Sequence, residues 1–161
     1  MTGTTNGSKE ELIQGLQEDL AREYKAIIQY VIYSQKLTRA QYMDIAAELE
    51  KHAHEELDHA LQISKQLDYF DAYPAHEPKP VQTSEENEDM LWFDLDAEDE
   101  TVRNYRQRIR QAEGLGEYAL AEVLRKIIAQ EQDHQIDLAT ALSVTADPDK
   151  RDPRPQRQAA G

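Results

Sequence analysis

Two Glu-x-x-His units stand 75 residues apart in this chain, Glu56-Leu57-Asp58-His59 and Glu131-Gln132-Asp133-His134. A lone glutamate precedes each by 33 residues, Glu23 and Glu98. Residues three apart share one face of a helix. A carboxylate and an imidazole so spaced can hold one metal ion while the second carboxylate oxygen bridges to another. Two such units plus two single glutamates form the ligand set with which a four-helix bundle holds two metal ions. The candidate metal ligands are therefore Glu23, Glu56, His59, Glu98, Glu131 and His134.

Four carboxylates and two imidazoles suit iron or manganese with open coordination positions. Full ionisation of the carboxylates balances two divalent ions. The chain has no cysteine, which excludes disulfides, iron–sulfur centres and thiol catalysis. With no thioether near the ligands either, copper is disfavoured, and zinc fits only as an adventitious occupant.

The elements that must position these residues are four long helices. Ser8 with Glu11, Thr38 with Gln41 and Thr83 with Glu86 are the signatures expected to open the first three, and Gly114 and Gly116 precede the fourth. The segment from Asp68 to Gln82 carries three prolines and reads as an extended connection between the second and third helices. Fifteen such residues match the length of a helix of about 30, so the link can cross the whole bundle. The expected fold is all-α, a four-helix bundle over residues 8–143 with one long crossover. Residues 1–7 are expected to be flexible, and residues 144–161, rich in Asp, Pro, Arg and Gln, a disordered tail.

Each helix carries an apolar stripe at three- and four-residue spacing. The six candidate ligands interrupt those stripes near mid-helix, where an uncompensated carboxylate costs several kcal/mol. The repeat extends to Leu16/Leu91, Leu20/Leu95, Tyr30/Tyr105, Leu49/Leu124 and Ile63/Leu138, as two hairpins related by a pseudo-twofold axis require. Tyr30 is a candidate catalytic residue, as a hydrogen-bond donor to a ligand carboxylate or a redox-active phenol; Tyr105 reads as core packing. His52 lies on the stripe one turn before Glu56, either a packed histidine or an auxiliary ligand. Glu55 is turned from the stripe toward solvent or a neighbouring helix, Asp99 and Glu100 are rejected as ligands on the same ground, and His54 and His76 read as surface residues.

The net charge of −14 repels nucleic acid and anionic lipid and attracts cations. Met1 to Gly7 has no apolar core like that of a signal peptide, and no apolar run is long enough to span a bilayer. The expected location is the cytoplasm, without a membrane or nucleic-acid partner.

The segments Glu23-x6-Tyr30, Glu56-x-x-His59, Asp89-Met90-Leu91…Asp94-Leu95…Glu98 and Glu131-x-x-His134 resemble those of the ferritin-like superfamily, bacterioferritin above all, over residues 8 to 142. The resemblance implies Glu23 and Glu98 as terminal ligands, Glu56 and Glu131 as bridges, and His59 and His134 each completing one metal. It implies two iron ions per chain, oxidation of iron(II) by dioxygen or hydrogen peroxide, and ferric mineral stored in a homo-oligomeric cage. Leu57 stands where bacterioferritins place a haem-ligating methionine, so no haem is expected. The proline-rich tail replaces the family's fifth helix, which leaves a smaller shell or a dimer open. The alternative is a di-metal oxidase, oxygenase or peroxide-consuming enzyme, of iron or manganese, without mineral storage.

Overall fold

The computed structural model describes residues 7–155. They form four helices, α1 (Lys9–Lys36), α2 (Met43–Tyr69), α3 (Asn87–Gly114) and α4 (Tyr118–Ala141), with a 3-10 turn at Ala40–Tyr42 and no strand among the described residues. None of these helices is long and apolar enough to cross a membrane.

Local chemistry explains most of the helix ends. Ser8 Oγ accepts from the Glu11 amide at 3.1 Å while the Glu11 carboxylate accepts from the Ser8 amide at 2.8 Å, the reciprocal cap expected there. The other two caps differ. Thr38 is tied to Asn87 at the start of α3, whose Oδ1 accepts from the Thr38 amide at 3.0 Å. The chain then takes its 3-10 turn, and α2 begins only at Met43. At α3, Ser84 rather than Thr83 satisfies the entering backbone, accepting from the Glu86 amide at 3.0 Å. Gly116, at φ 77°, supplies the left-handed residue that lets the Glu117 amide reach the Ala112 carbonyl at 2.8 Å.

α1 and α2 form one antiparallel hairpin and α3 and α4 another. The crossover between them is strapped to α1 along its length. Gln17 binds it twice, through the Tyr73 carbonyl at 2.8 Å and the Ala75 amide at 2.7 Å. The Lys79 amide then donates to the Ala21 carbonyl at 3.0 Å, and Gln29 accepts from the Gln82 amide at 2.9 Å. This return sets α3 antiparallel to α1, and α4 antiparallel to α2.

The apolar core is divided in two. One cluster, including Leu12, Leu16, Leu20, Ile63, Leu67, Leu120 and Leu124, fills one end of the bundle. Another, including Tyr33, Ile45, Leu49, Met90, Leu91, Leu95 and Leu138, fills the other. The stripe of α1 is wider than its simple period: Leu12 and Tyr33 are fully buried, whereas Ile13 and Ile27 are only partly so, because α1 meets α2, α3 and the crossover at once.

Residues 144–155, in the segment expected as a disordered tail, make contacts with α3. Arg151 donates to both carboxylate oxygens of Asp99, at 2.6 and 3.2 Å, and to the Thr145 and Ala146 carbonyls. Arg154 pairs with Asp89 and lies over the Trp92 ring. Charge and stacking thus hold a segment with little apolar content against α3. Residues 1–6 and 156–161, where the remaining terminal expectations fall, lie outside the described residues.

Away from the polar layer, Asp19 is buried and bound by Arg108, Nε to Oδ2 at 2.7 Å, and by Arg22 at 2.5 Å. Gly15 makes room for this pair, since a Cβ there would lie 2.1 Å from Arg108 Cζ. Gly15→Ala should therefore push the guanidinium off Asp19 and cost about 3 kcal/mol, the usual scale for breaking a buried pair. Urea denaturation measures it; an unchanged midpoint would mean that Arg108 relocates freely.

Candidate metal centre

Between the two apolar clusters, all four helices turn polar side chains inward. α1 supplies Glu23, α2 supplies Glu56 and His59, α3 supplies Glu98, and α4 supplies Glu131 and His134. None of the six is more than 3% exposed. They fall into two groups of four, Glu23–Glu56–His59–Glu131 and Glu56–Glu98–Glu131–His134, with donor atoms in each group within 4.8 Å of one another. Glu56 and Glu131 belong to both.

The shared carboxylates face each way with a different oxygen. His59 Nδ1 lies 3.0 Å from Glu56 Oε2, 3.2 Å from Glu131 Oε1 and 3.6 Å from Glu23 Oε2. His134 Nδ1 lies 2.9 Å from Glu56 Oε1, 3.1 Å from Glu131 Oε2 and 3.4 Å from Glu98 Oε1. That is the placement two bridging carboxylates and two terminal ones require.

The imidazoles are oriented from behind. His59 Nε2 meets Gln130 Oε1 at 2.7 Å, and His134 Nε2 meets Glu55 Oε2 at 2.6 Å. Both oxygens accept, so each Nε2 carries its hydrogen outward. With neutral rings, the Nδ1 lone pairs then point at the centre. The terminal glutamates are held across the bundle: Tyr30 donates to Glu98 Oε1, and Tyr105 donates to Glu23 Oε1. Tyr105 is thus not plain core packing. Its role follows from the same 75-residue offset that relates Tyr30 to it and Glu23 to Glu98. Glu55 and Gln130 are likewise related by that offset, a signal hidden because neither lies on a stripe.

His52 stacks on His134 with ring centroids 4.0 Å apart, and its Nε2 lies 3.0 Å from Asp137. It falls into one donor group with Glu55 and His134 and another with Glu48 and Asp137. Asp99 turns away from the centre to Gln135 and Arg151. His54 and His76 are exposed. Leu57, half exposed, lines a shallow groove with Ile27, Val31 and Ala53.

The donor set fits metal ions on its own evidence. Glu23 Oε2, Glu56 Oε1, Glu98 Oε2, both oxygens of Glu131 and His134 Nδ1 are buried without a hydrogen-bond partner. Among the described residues, the ion pairs of these four glutamates run only to His59 and His134. Burial alone would lower both histidines, but the Glu131 carboxylate and its neighbours, close to each Nδ1, override it and raise them strongly. Protons there stand in for missing positive charge. Burial and the charges of Glu131 and Glu23 push Glu56 well up, and burial with Glu131 pushes Glu98 to about 7. Burial and the adjacent carboxylates also raise Tyr30 and Tyr105, which remain O–H donors.

A cavity of about 410 Å³ leads to the centre between α1, α3 and the crossover. Glu23, Glu56, Glu98 and Glu131 line its inner part, with Arg22, Lys25, Lys79 and Glu100 also in its walls.

A bundle with one long crossover and an inward ring of glutamate and histidine defines a class of protein, and residues 13–146 match the ferritin-like domain family. The chain belongs to that family. It is similar to the bacterioferritin of Desulfovibrio desulfuricans, 27% identical over 83% of this chain and 75% of that one. It is also similar to the bacterioferritin of Brucella melitensis, 23% identical over 84% of this chain and 85% of that one. Among solved structures, a ferritin-like diiron-carboxylate protein from Bacillus anthracis is 31% identical with a TM-score of 0.80, covering 84% of this chain and 99% of that one. The bacterioferritin-related dodecameric thioferritin of Bacteroides fragilis has the same fold, at 24% identity and a TM-score of 0.77, over 83% of this chain and 85% of that one.

The carboxyl protons give the centre a pH signature. Because folding raises Glu98 from 4.5 to about 7, its contribution to the metal-free fold is complete below pH 4.5 and is lost as pH rises through about 7. That loss is on the order of 3 kcal/mol. Metal binding displaces these protons and so strengthens over the same range. The melting temperature of metal-free protein should fall between pH 5 and pH 8, while the gap to manganese-loaded protein widens. A gap independent of pH would remove these carboxylates from the binding event.

Proposed function

We propose that the protein is a di-iron ferroxidase of iron storage and detoxification, oxidising iron(II) with dioxygen or hydrogen peroxide. The observation that carries this reading is the pair of four-donor groups sharing Glu56 and Glu131, with five of their carboxylate oxygens buried without a hydrogen-bond partner among the described residues. Two iron(II) ions held there are the substrate and supply one electron each to the oxidant. In this reading Glu23 with His59, and Glu98 with His134, are the terminal ligands of the two positions, and Glu56 and Glu131 bridge them. Tyr30 and Tyr105 hold the terminal carboxylates through hydrogen bonds and keep their own protons. The apolar clusters close the centre on either side, and the cavity between α1, α3 and the crossover is the route to it.

We further propose a homo-oligomer. Ile28, Val31, Leu57 and Leu61 are exposed on α1 and α2, an apolar surface that a second copy can cover. The dodecameric state of the Bacteroides fragilis protein supports assembly of this fold.

The cavity favours one alternative, a di-metal oxidase or oxygenase of an organic substrate, with iron or manganese. Its volume, about 410 Å³, is in the range of small-molecule sites, and it reaches four candidate ligands. Iron loading separates the two. Apoprotein mixed with iron(II) in air should oxidise it rapidly and load far beyond two irons per chain; loading that stops at two removes storage and leaves the oxidase. Glu56→Ala and His134→Ala should each reduce oxidation to the protein-free rate, and near-normal rates in either would defeat both readings. Tyr30→Phe should weaken metal binding about tenfold, the usual scale for losing a hydrogen bond to a ligand. Calorimetry with manganese(II) measures that loss, and an unchanged affinity would make Tyr30 a packing residue.

A further inference from the structure

The 75-residue repeat pairs the residues of the two halves of the centre, so the places where they differ are informative. Glu23 corresponds to Glu98, Glu56 to Glu131, His59 to His134 and Tyr30 to Tyr105. The first difference is immediately behind the imidazoles. His59 donates Nε2–H to the neutral amide oxygen of Gln130 at 2.7 Å, whereas His134 donates to the carboxylate of Glu55 at 2.6 Å. The second lies one turn from the terminal glutamates. Asp19, near Glu23, is neutralised by Arg108 and Arg22. Its counterpart Asp94, near Glu98, is buried with only the Gln29 amide at 2.9 Å, and Asp94 Oδ2 has no partner.

The first difference sets a direction. A carboxylate accepting the outer N–H of an imidazole makes the inner nitrogen a better donor than an amide acceptor does. A dication also gains about twice as much from that added negative charge as does a single proton competing for the same nitrogen. Asp94 does not add to this effect, because burial raises its carboxyl well above the usual carboxylate range.

We propose that the two metal positions are inequivalent, the one formed by Glu98 and His134 binding a divalent cation about tenfold or more tightly because Glu55 stands where its counterpart is Gln130. Glu55 is a positioning residue that acts through His134 and touches neither metal position itself. This rests on the two-metal reading above.

Anaerobic titration of the apoprotein with cobalt(II), followed by visible absorption and calorimetry, tests it. Two equivalents should bind in two steps separated about tenfold or more in affinity, within the range reported for outer partners of metal ligands. Glu55→Gln, isosteric and at a half-exposed position, should merge the steps by weakening the tighter one. Gln130→Glu should strengthen the weaker step toward the tighter, a gain that a merely structural role for Glu55 does not produce. His59→Ala should retain the tight step, and His134→Ala the weak one. Two equivalents binding with one affinity in the unaltered protein would overturn the proposal while leaving the two-metal centre standing, as would steps that Glu55→Gln leaves apart. Fewer than two equivalents would overturn the two-metal reading and this proposal together.

Discussion

Four glutamates converging in the interior of the bundle repel one another and lose most of their hydration, and the rest of the bundle is arranged around that constraint. The effective penalty for one buried ion is several kcal/mol, while a whole domain is stable by only about 5–15 kcal/mol. Four such carboxylates, left to themselves, would exceed what the fold can tolerate. The two histidines offset part of the charge as imidazolium ions, and the raised Glu56 and Glu98 offset more by holding protons. What remains is a site whose charge is balanced by dications and only provisionally by protons. The apolar clusters on both sides offer the glutamate oxygens no polar partner, and the cavity between α1, α3 and the crossover gives access to them.

The same helices show how this chain treats a buried carboxylate that is meant to be structural. Asp19 lies one turn from Glu23 and is as deeply buried, yet two guanidinium groups reach it, and α1 gives up a side chain at Gly15 so that Arg108 fits. No such arginine reaches Glu23, Glu56, Glu98 or Glu131 among the described residues. The distinction is one of partners, not depth. It separates an acidic group that braces the fold from one that awaits a cation.

The candidate ligands were legible in the sequence because they obey two periods at once, the helical stripe and the 75-residue repeat. The crossover was legible from its prolines and its length. The residues that escaped obey only one period or neither. Glu55 and Gln130 share the repeat but face across from α2 to α4 rather than along a stripe, so the helical period hides them. Tyr105 sits on a stripe as any core aromatic would, and only its bond to Glu23 distinguishes it. The Asp19–Arg108 pair depends on two helices distant in sequence, with the space at Gly15 as its one local trace. The α2 start shifted because Asn87, a tertiary neighbour, captured Thr38, and tertiary ties of that kind leave no local pattern.

The contacts of residues 144–155 were not legible for a related reason. Composition measures how much apolar surface a segment can bury, and this one buries little. It omits what a few directed charges can do when matching acids lie along one helix. Arg151 reaches Asp99, to which Gln135 of α4 also donates. Asp99 is adjacent in sequence to Glu98, and Gln135 to His134. The segment is therefore tied to α3, the helix from which Glu98 projects, with Asp99 shared between Arg151 and Gln135 of α4. A short run of arginine and proline here holds residues 144–155 by charge, beside the packing of Val144 and Ala146 against the core.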